Sequence, residues 1–218
     1  VRVAPAAVHL KKLIDEGLIG DLVEVHVWGV EHLLHMGWHC LYLLRYFAGE
    51  PLWCSARVTQ EGREITLDDT HEDPLGLASG DTVHASYAFA GRVQGHFVWQ
   101  IQGPYQMTLY GSKGVIHFLI TDDPKIYHFP DPEWTPGKPW GDWQLVAAPK
   151  NVKTGAEANI NLLIADLFRA IETDTQSVAS FYEARGVLEM LLAVYASQLQ
   201  GAPVSFPLKD RKHPLGAL

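Results

Sequence analysis

The sequence predicts an α+β fold: a largely antiparallel, open β-sheet with helices packed on one face. Two-residue alternation of apolar and polar side chains runs through the middle of the 218-residue chain, which marks strands. Helical periodicity of apolar residues marks both ends. The register of the central hairpin gathers its apolar side chains on one face and its polar ones on the other. At this length a single domain over residues 1–218 is the simplest count.

The elements follow in order. Ala4–Glu16 carries Val8, Leu10, Leu13 and Ile14 at helical spacing, with Gly17 as the C-terminal cap. Leu22–Val30 alternates Val23, Val25 and Val27 with Glu24, His26 and Trp28, the pattern of a strand with one apolar face. A second helix follows the histidine-rich stretch from His32, with Gly37 letting the chain bend before it starts and Gly49 and Pro51 ending it. Leu52–Gln60 reads as a strand, and Glu61–Gly80, acidic and rich in turn residues, as a long surface loop. A meander is expected over Asp81–Ala88, Val93–Gln102, Gln106–Tyr110, Gly114–Ile120 and Lys125–Phe129. For the apolar set Val83, Ala85 and Tyr87 to share a face with Val93, Gly95, Phe97 and Trp99, the first turn must hold an odd number of residues; Phe89-Ala90-Gly91 satisfies this. The opposite face then carries His84, Ser86, Gln94, His96, Gln100 and Gln102. Pro130–Gly141 reads as a crossing segment and Asp142–Ala148 as an edge strand. Glu157–Thr173 and a helix opened by the capping box Ser180-Phe-Tyr-Glu183 close the chain, with Gly201 and Pro203 stopping the latter.

Composition excludes several classes. Net charge is −8 with no Lys/Arg cluster, so a nucleic-acid partner lacks its basic footprint. No apolar run is long enough to cross a bilayer. Cys40 and Cys54 lie outside any CxxC spacing and read as small buried thiols of a reducing, cytoplasmic compartment. No dinucleotide fingerprint, Walker lysine or nucleophile elbow is present. Gly111-Ser-Lys-Gly114 suits a hairpin turn better than a phosphate loop.

The chemistry concentrates in His32, His35 and His39. Histidine titrates near neutral pH, so a cluster at a helix entrance points to proton transfer or metal ligation. His35 and His39 are one helical turn apart. A helix N-terminus disfavours the imidazolium, which would keep His39 neutral and able to accept a proton; equally, a helix-entry histidine can simply hydrogen-bond backbone. Three histidines could hold zinc, but no carboxylate or cysteine completes the set and Gly37 is expected to break the helix between His35 and His39, so no metal is assigned. Trp28 and Trp38 could stack on a sugar face.

Leu13-Ile-Asp-Glu-Gly17-Leu-Ile-Gly20-Asp-Leu-Val23 resembles the hinge that follows the nucleotide domain in the glucose–fructose oxidoreductase / inositol dehydrogenase (Gfo/Idh/MocA) family. Gly37-Trp-His39-Cys-Leu-Tyr-Leu-Leu-Arg-Tyr-Phe-Ala-Gly49-Glu-Pro51 is similar to that family's Gly-x-His-x-x-Asp…Gly-x-Pro signature. Tyr110-Gly-Ser-Lys-Gly114-Val-Ile, Asp166-Leu-Phe-Arg-Ala-Ile-Glu172, Ala184-Arg-x-x-x-Glu189 and Pro207-Leu-Lys-Asp-Arg211-Lys-His-Pro214-Leu resemble its later segments, in family order. The resemblance implies the C-terminal domain of an NAD(P)-dependent oxidoreductase acting on a sugar, polyol or related alcohol. The dinucleotide-binding half, with its glycine fingerprint and catalytic lysine, is then expected to lie outside this chain, leaving the chain inactive alone. The family's acid/base histidine falls on His39. Its flanking aspartates fall on His35 and Tyr42, which depart from the pattern. Catalytic roles are thus expected for His39 and His35, and substrate contacts for Trp38, Trp28 and His32. NAD or NADP would be held mainly by the other half. A homo-oligomer is expected through the open sheet face. The alternatives are a non-catalytic dimerisation or sugar-binding module, or a His-ligated metal protein.

Overall fold

A computed structural model describes residues 3–29, 33–100, 102, 103, 105–121, 123–130, 142–147 and 155–216. In chain order the elements are α1 (Pro5–Asp15), β1 (Leu22–Gly29), a π-helical turn (Leu33–Gly37), α2 (Trp38–Ala48), β2 (Pro51–Gln60), β3 (Arg63–Glu64), β4 (His71–Asp73), β5 (Gly76–Ala78), β6 (Thr82–Phe89), β7 (Gln94–Gln100), β8 (Gln106–Gly111), β9 (Gly114–Leu119), β10 (Lys125–Phe129), β11 (Gln144–Val146), α3 (Ala156–Glu172), α4 (Phe181–Gln200) and β12 (Val204–Ser205). The class is α+β, as predicted. No helix among the described residues is long and apolar enough to cross a membrane.

The chain forms two compact units. One takes residues up to Val23 together with Gln106–Arg185, the other Glu24–Tyr105 together with Gly186–Leu218.

In the second unit β7 pairs antiparallel with β6, β6 with β2, and β2 with β12. β1 joins β7 in parallel, setting Glu24 opposite Gln94, His26 opposite His96 and Trp28 opposite Val98. The buried face carries Val25, Val27, Cys54, Val58, Val83, Ala85, Tyr87, Phe97 and Trp99. Residues of α2 and α4 cover it. Tyr87 donates its hydroxyl to the Met190 carbonyl at 3.0 Å. The remaining edge of β2 is capped by α4, because Ser197 Oγ and Gln198 Oε1 accept the amides of Ala56 and Val58 at 2.9 and 2.7 Å. Side chains thereby satisfy N–H groups that would otherwise invite another strand.

The opposite face carries Glu24, His26, Trp28, His84, Ser86, Gln94, His96 and Gln100, as alternation predicted, and these range from half-buried to exposed. The β6–β7 turn has the expected odd length, but it is Ala90-Gly91-Arg92, one residue later than predicted. Gly91 and Arg92 both take left-handed conformations there (φ 69° and 67°). Moving a three-residue turn by one position changes the partners and keeps the faces, since the pairing shifts by two. The segment predicted as a loop over Glu61–Gly80 instead holds β3 and the β4–β5 hairpin. Arg63 pairs with Asp69, and Asp69 closes a capping box with Thr66. This acidic stretch is spent on local structure.

In the first unit β8–β9–β10–β11 form an antiparallel meander. The β8–β9 turn Ser112-Lys113 is used structurally. The amides of Ser112 and Lys113 donate to the Asp21 and Ile19 carbonyls at 2.9 and 2.8 Å, and Ser112 Oγ accepts the Asp21 amide at 3.0 Å. A Cβ on Gly111 would stand 2.1 Å from the Ile19 carbonyl oxygen, so only glycine fits this close crossing. Helical spacing puts Leu162, Leu163, Leu167, Ala170 and Ile171 on one face of α3, expected to be buried, but only Ala170 is buried. The segment 131–141, predicted as a crossing, lies outside the described residues.

Candidate functional site

His39 sits in the first turn of α2, and α2 is held against the sheet by small residues beneath it. A Cβ on Gly29 would stand 2.6 Å from Cys40 Sγ, and one on Gly95 2.9 Å from Leu44 Cδ1. Cys40, Leu41, Leu43, Leu44 and Phe47 are buried in this contact. The backbone carrying His39 is therefore fixed by packing.

Gly37 does not break the helix. Its φ of −60° and ψ of −37° are helical, and the π-helical turn runs through it into α2. Glycine is needed for closeness instead: a Cβ would meet Leu33 Cδ1 at 2.7 Å and Phe97 Cζ at 3.3 Å. π-helical turns recur at functional sites because they offset side chains from the α-helical register.

His39 is half-buried, and burial, with the neighbouring His35 adding to it, lowers its pKa from 6.5 to about 4. The direction agrees with the sequence argument, but burial is the main cause. At neutral pH the imidazole is uncharged and can accept a proton. His35 is exposed, and its ring meets that of His39 edge to face with centroids 5.4 Å apart. Trp38, half-buried, precedes His39 on the helix.

Two further members were expected beside them. His32 lies outside the described residues. Trp28 follows the alternation of β1, so it faces away from α2, whereas its neighbour Gly29 faces Cys40. The indole N–H of Trp28 is buried with no hydrogen-bond partner among the described residues and lies beside Gly103 and Gln100. Trp28 thus stands on the opposite face of the sheet from α2.

Tyr105 was not singled out from the sequence. Burial, with a smaller contribution from Cys40, raises its phenol above the usual value, and its hydroxyl is buried without a described partner. Only the fold shows that this residue approaches the one next to His39. A cavity of about 430 Å³ lined by Leu199, Val204, Leu208 and His213 lies at the C-terminal tail, and its lining does not include His39.

Among the described residues the group with metal-ligand geometry is Glu24, His26 and His96, all on the open face of the second unit's sheet. His26 Nε2 and His96 Nε2 both approach Glu24 Oε1, at 2.5 and 3.0 Å. The histidine rings meet edge to face at 4.7 Å. Burial, then His26, lowers the pKa of His96 against the opposing pull of Glu24. Alternation puts Glu24 and His26 on one face; the parallel pairing that brings in His96 is not legible from sequence.

No family model matches the chain, and no curated protein sequence does. Solved structures do. An oxidoreductase domain protein from Kribbella flavida superposes with a TM-score of 0.73 at 18% identity over 94% of this chain and 64% of its own. Aldose-aldose oxidoreductase from Caulobacter crescentus, complexed with glycerol, gives 0.72 at 15% identity over 94% of this chain and 61% of its own. Levoglucosan dehydrogenase in complex with NADH and levoglucosan gives 0.71 at 17% identity over 94% of this chain and 64% of its own. This chain thus spans less than two thirds of their length. At such identities the likeness establishes a common fold, the one implied by the resemblance to Gfo/Idh/MocA C-terminal domains.

Proposed function

We propose that this chain is the substrate-binding and oligomerisation domain of an NAD(P)-dependent oxidoreductase acting on a sugar, polyol or related alcohol. The observation that carries the reading is His39: a half-buried imidazole, kept neutral by burial, on a helix fixed by close packing; the sequence resemblance puts the family's acid/base histidine at this position. The shared fold with a dehydrogenase solved with NADH and levoglucosan supports the substrate class.

In this reading His39 takes the proton of the substrate hydroxyl while hydride leaves the same carbon for the nicotinamide. His35, held edge to face, orients the His39 ring, and Trp38 lines the approach. The nicotinamide supplies the hydride-accepting chemistry when bound. The 218-residue chain alone turns over no substrate, because it has no dinucleotide-binding motif.

The test is to express the reading frame that contains this chain, screen sugars and polyols with NAD⁺ and NADP⁺, and replace His39 by alanine. A loss of about 10²–10⁴-fold in kcat/KM is expected on removing a general base; full activity in the variant removes the assigned role.

A second reading, a non-catalytic association or sugar-binding module, is favoured by the open polar face of the second unit's sheet with its half-buried Trp28. Association through that face is proposed in either case, and a monomeric sedimentation coefficient would remove it.

A further inference from the structure

We propose that Glu24, His26 and His96 form a binding site for a divalent transition metal, zinc(II) by preference, on the open face of the sheet.

The ligand atoms converge. One ligand atom from each of Glu24, His26 and His96 lies within 4.8 Å of the other two, and His26 Nε2 and His96 Nε2 both approach the same oxygen, Glu24 Oε1. Ligands about 2.0–2.2 Å from a tetrahedral zinc stand roughly 3.3 Å apart. To admit a metal, the two nitrogen–oxygen pairs, now 2.5 and 3.0 Å, need to spread by less than about 1 Å. The three side chains are one third to one half exposed, which leaves them room to do so.

Their backbones are already in place. Glu24 and His26 are two residues apart on β1 and share a face, while His96 is the parallel partner of His26 on β7. Hydrogen-bonded strands hold these positions without a loop. Ser86 Oγ, on the next strand β6, lies 3.3 Å from His96 Nδ1. With a metal on Nε2 the ring carries its proton on Nδ1, and a hydroxyl there can accept it, as outer partners of ligating histidines do.

Two imidazoles and one carboxylate suit zinc(II) or a neighbouring divalent ion better than magnesium or calcium, which take oxygen ligands. In the unassociated chain the open side of the sheet leaves the remaining coordination positions to water. The inference rests on these side chains alone and does not depend on the oxidoreductase reading.

The test uses the 218-residue chain, freed of metal with EDTA and titrated with zinc sulfate by calorimetry. One zinc per chain is expected. His26→Gln and His96→Gln should each weaken binding by about tenfold or more, with circular dichroism unchanged, as expected for partly exposed side chains. Cobalt(II) should give a visible absorption band that disappears in His96→Gln. The double variant His35→Gln/His39→Gln should keep the site. Zinc binding no weaker in His26→Gln/His96→Gln than in the parent chain would overturn the proposal and leave the three residues as a hydrogen-bonded carboxylate–imidazole group. Loss of binding only in the His35/His39 variant would equally overturn it.

Discussion

Gly29 and Cys40 mark where helix and sheet approach most tightly: a methyl on Gly29 would stand 2.6 Å from Cys40 Sγ. Overpacking of this kind costs about 1–3 kcal/mol. Gly29→Ala should lower the urea midpoint accordingly, and adding Cys40→Ala should restore part of the loss. A double-mutant cycle with coupling of about 0.5 kcal/mol or more is expected for residues in contact. Strictly additive effects would show that the helix slides away instead.

Burial lowers the pKa of His39 to about 4. The unfolded chain, with histidine near 6.5, then binds the proton more readily than the folded one. Stability is lost as pH falls from 6.5 towards 4 and is unaffected above 6.5. His39→Gln should remove this share of the acid loss. Urea midpoints of both proteins between pH 7.5 and 4.5 check it, and parallel curves would contradict it.

Tyr87 is wholly buried and donates to the Met190 carbonyl at 3.0 Å, which ties β6 to α4. Tyr87→Phe keeps the ring and removes that bond, so a loss of about 1 kcal/mol is expected in chemical unfolding. An unchanged midpoint would mean that the hydroxyl contributes nothing net.

Asp166, in the segment that resembles the family's closing helices, is a structural anchor. It accepts hydrogen bonds from Arg169, from Ser177 Oγ at 2.8 Å and from the Val178 amide at 2.8 Å. These hold its pKa down to about 2. Its contribution is present above the usual carboxylate range and is lost as pH falls through 2. Asp166→Asn should free the link between α3 and α4, read as faster proteolysis between residues 173 and 180. Unchanged cleavage would remove the anchoring role.

Much of this fold was legible because its signals are local. Lys125–Phe129 was predicted to the residue, because turn residues and prolines bound it on both sides. The polar face of β1, β6 and β7 followed from two-residue alternation alone. The hairpin parity followed from the need to bury Val83, Ala85 and Tyr87 with Gly95, Phe97 and Trp99. The candidate site was legible only in part. His35 and His39 were found through their helical spacing. Trp28 was grouped with them by residue type, and the β1 alternation that turns it away from α2 had to be combined with the side of the sheet on which α2 packs.

By itself the sequence determined which faces of the central strands are apolar, where most strands and helices run, and that one histidine stands at the start of a helix, because periodicity and turn residues act over a few positions. Tertiary structure alone decided the rest. It made Gly37 a contact instead of a break, through the approach of Leu33 and Phe97. It lowered the pKa of His39 mainly by burial rather than by a helix terminus. And it brought His96 beside Glu24 and His26, because the parallel register of β1 on β7 joins residues some seventy positions apart, where no local preference can specify a partner.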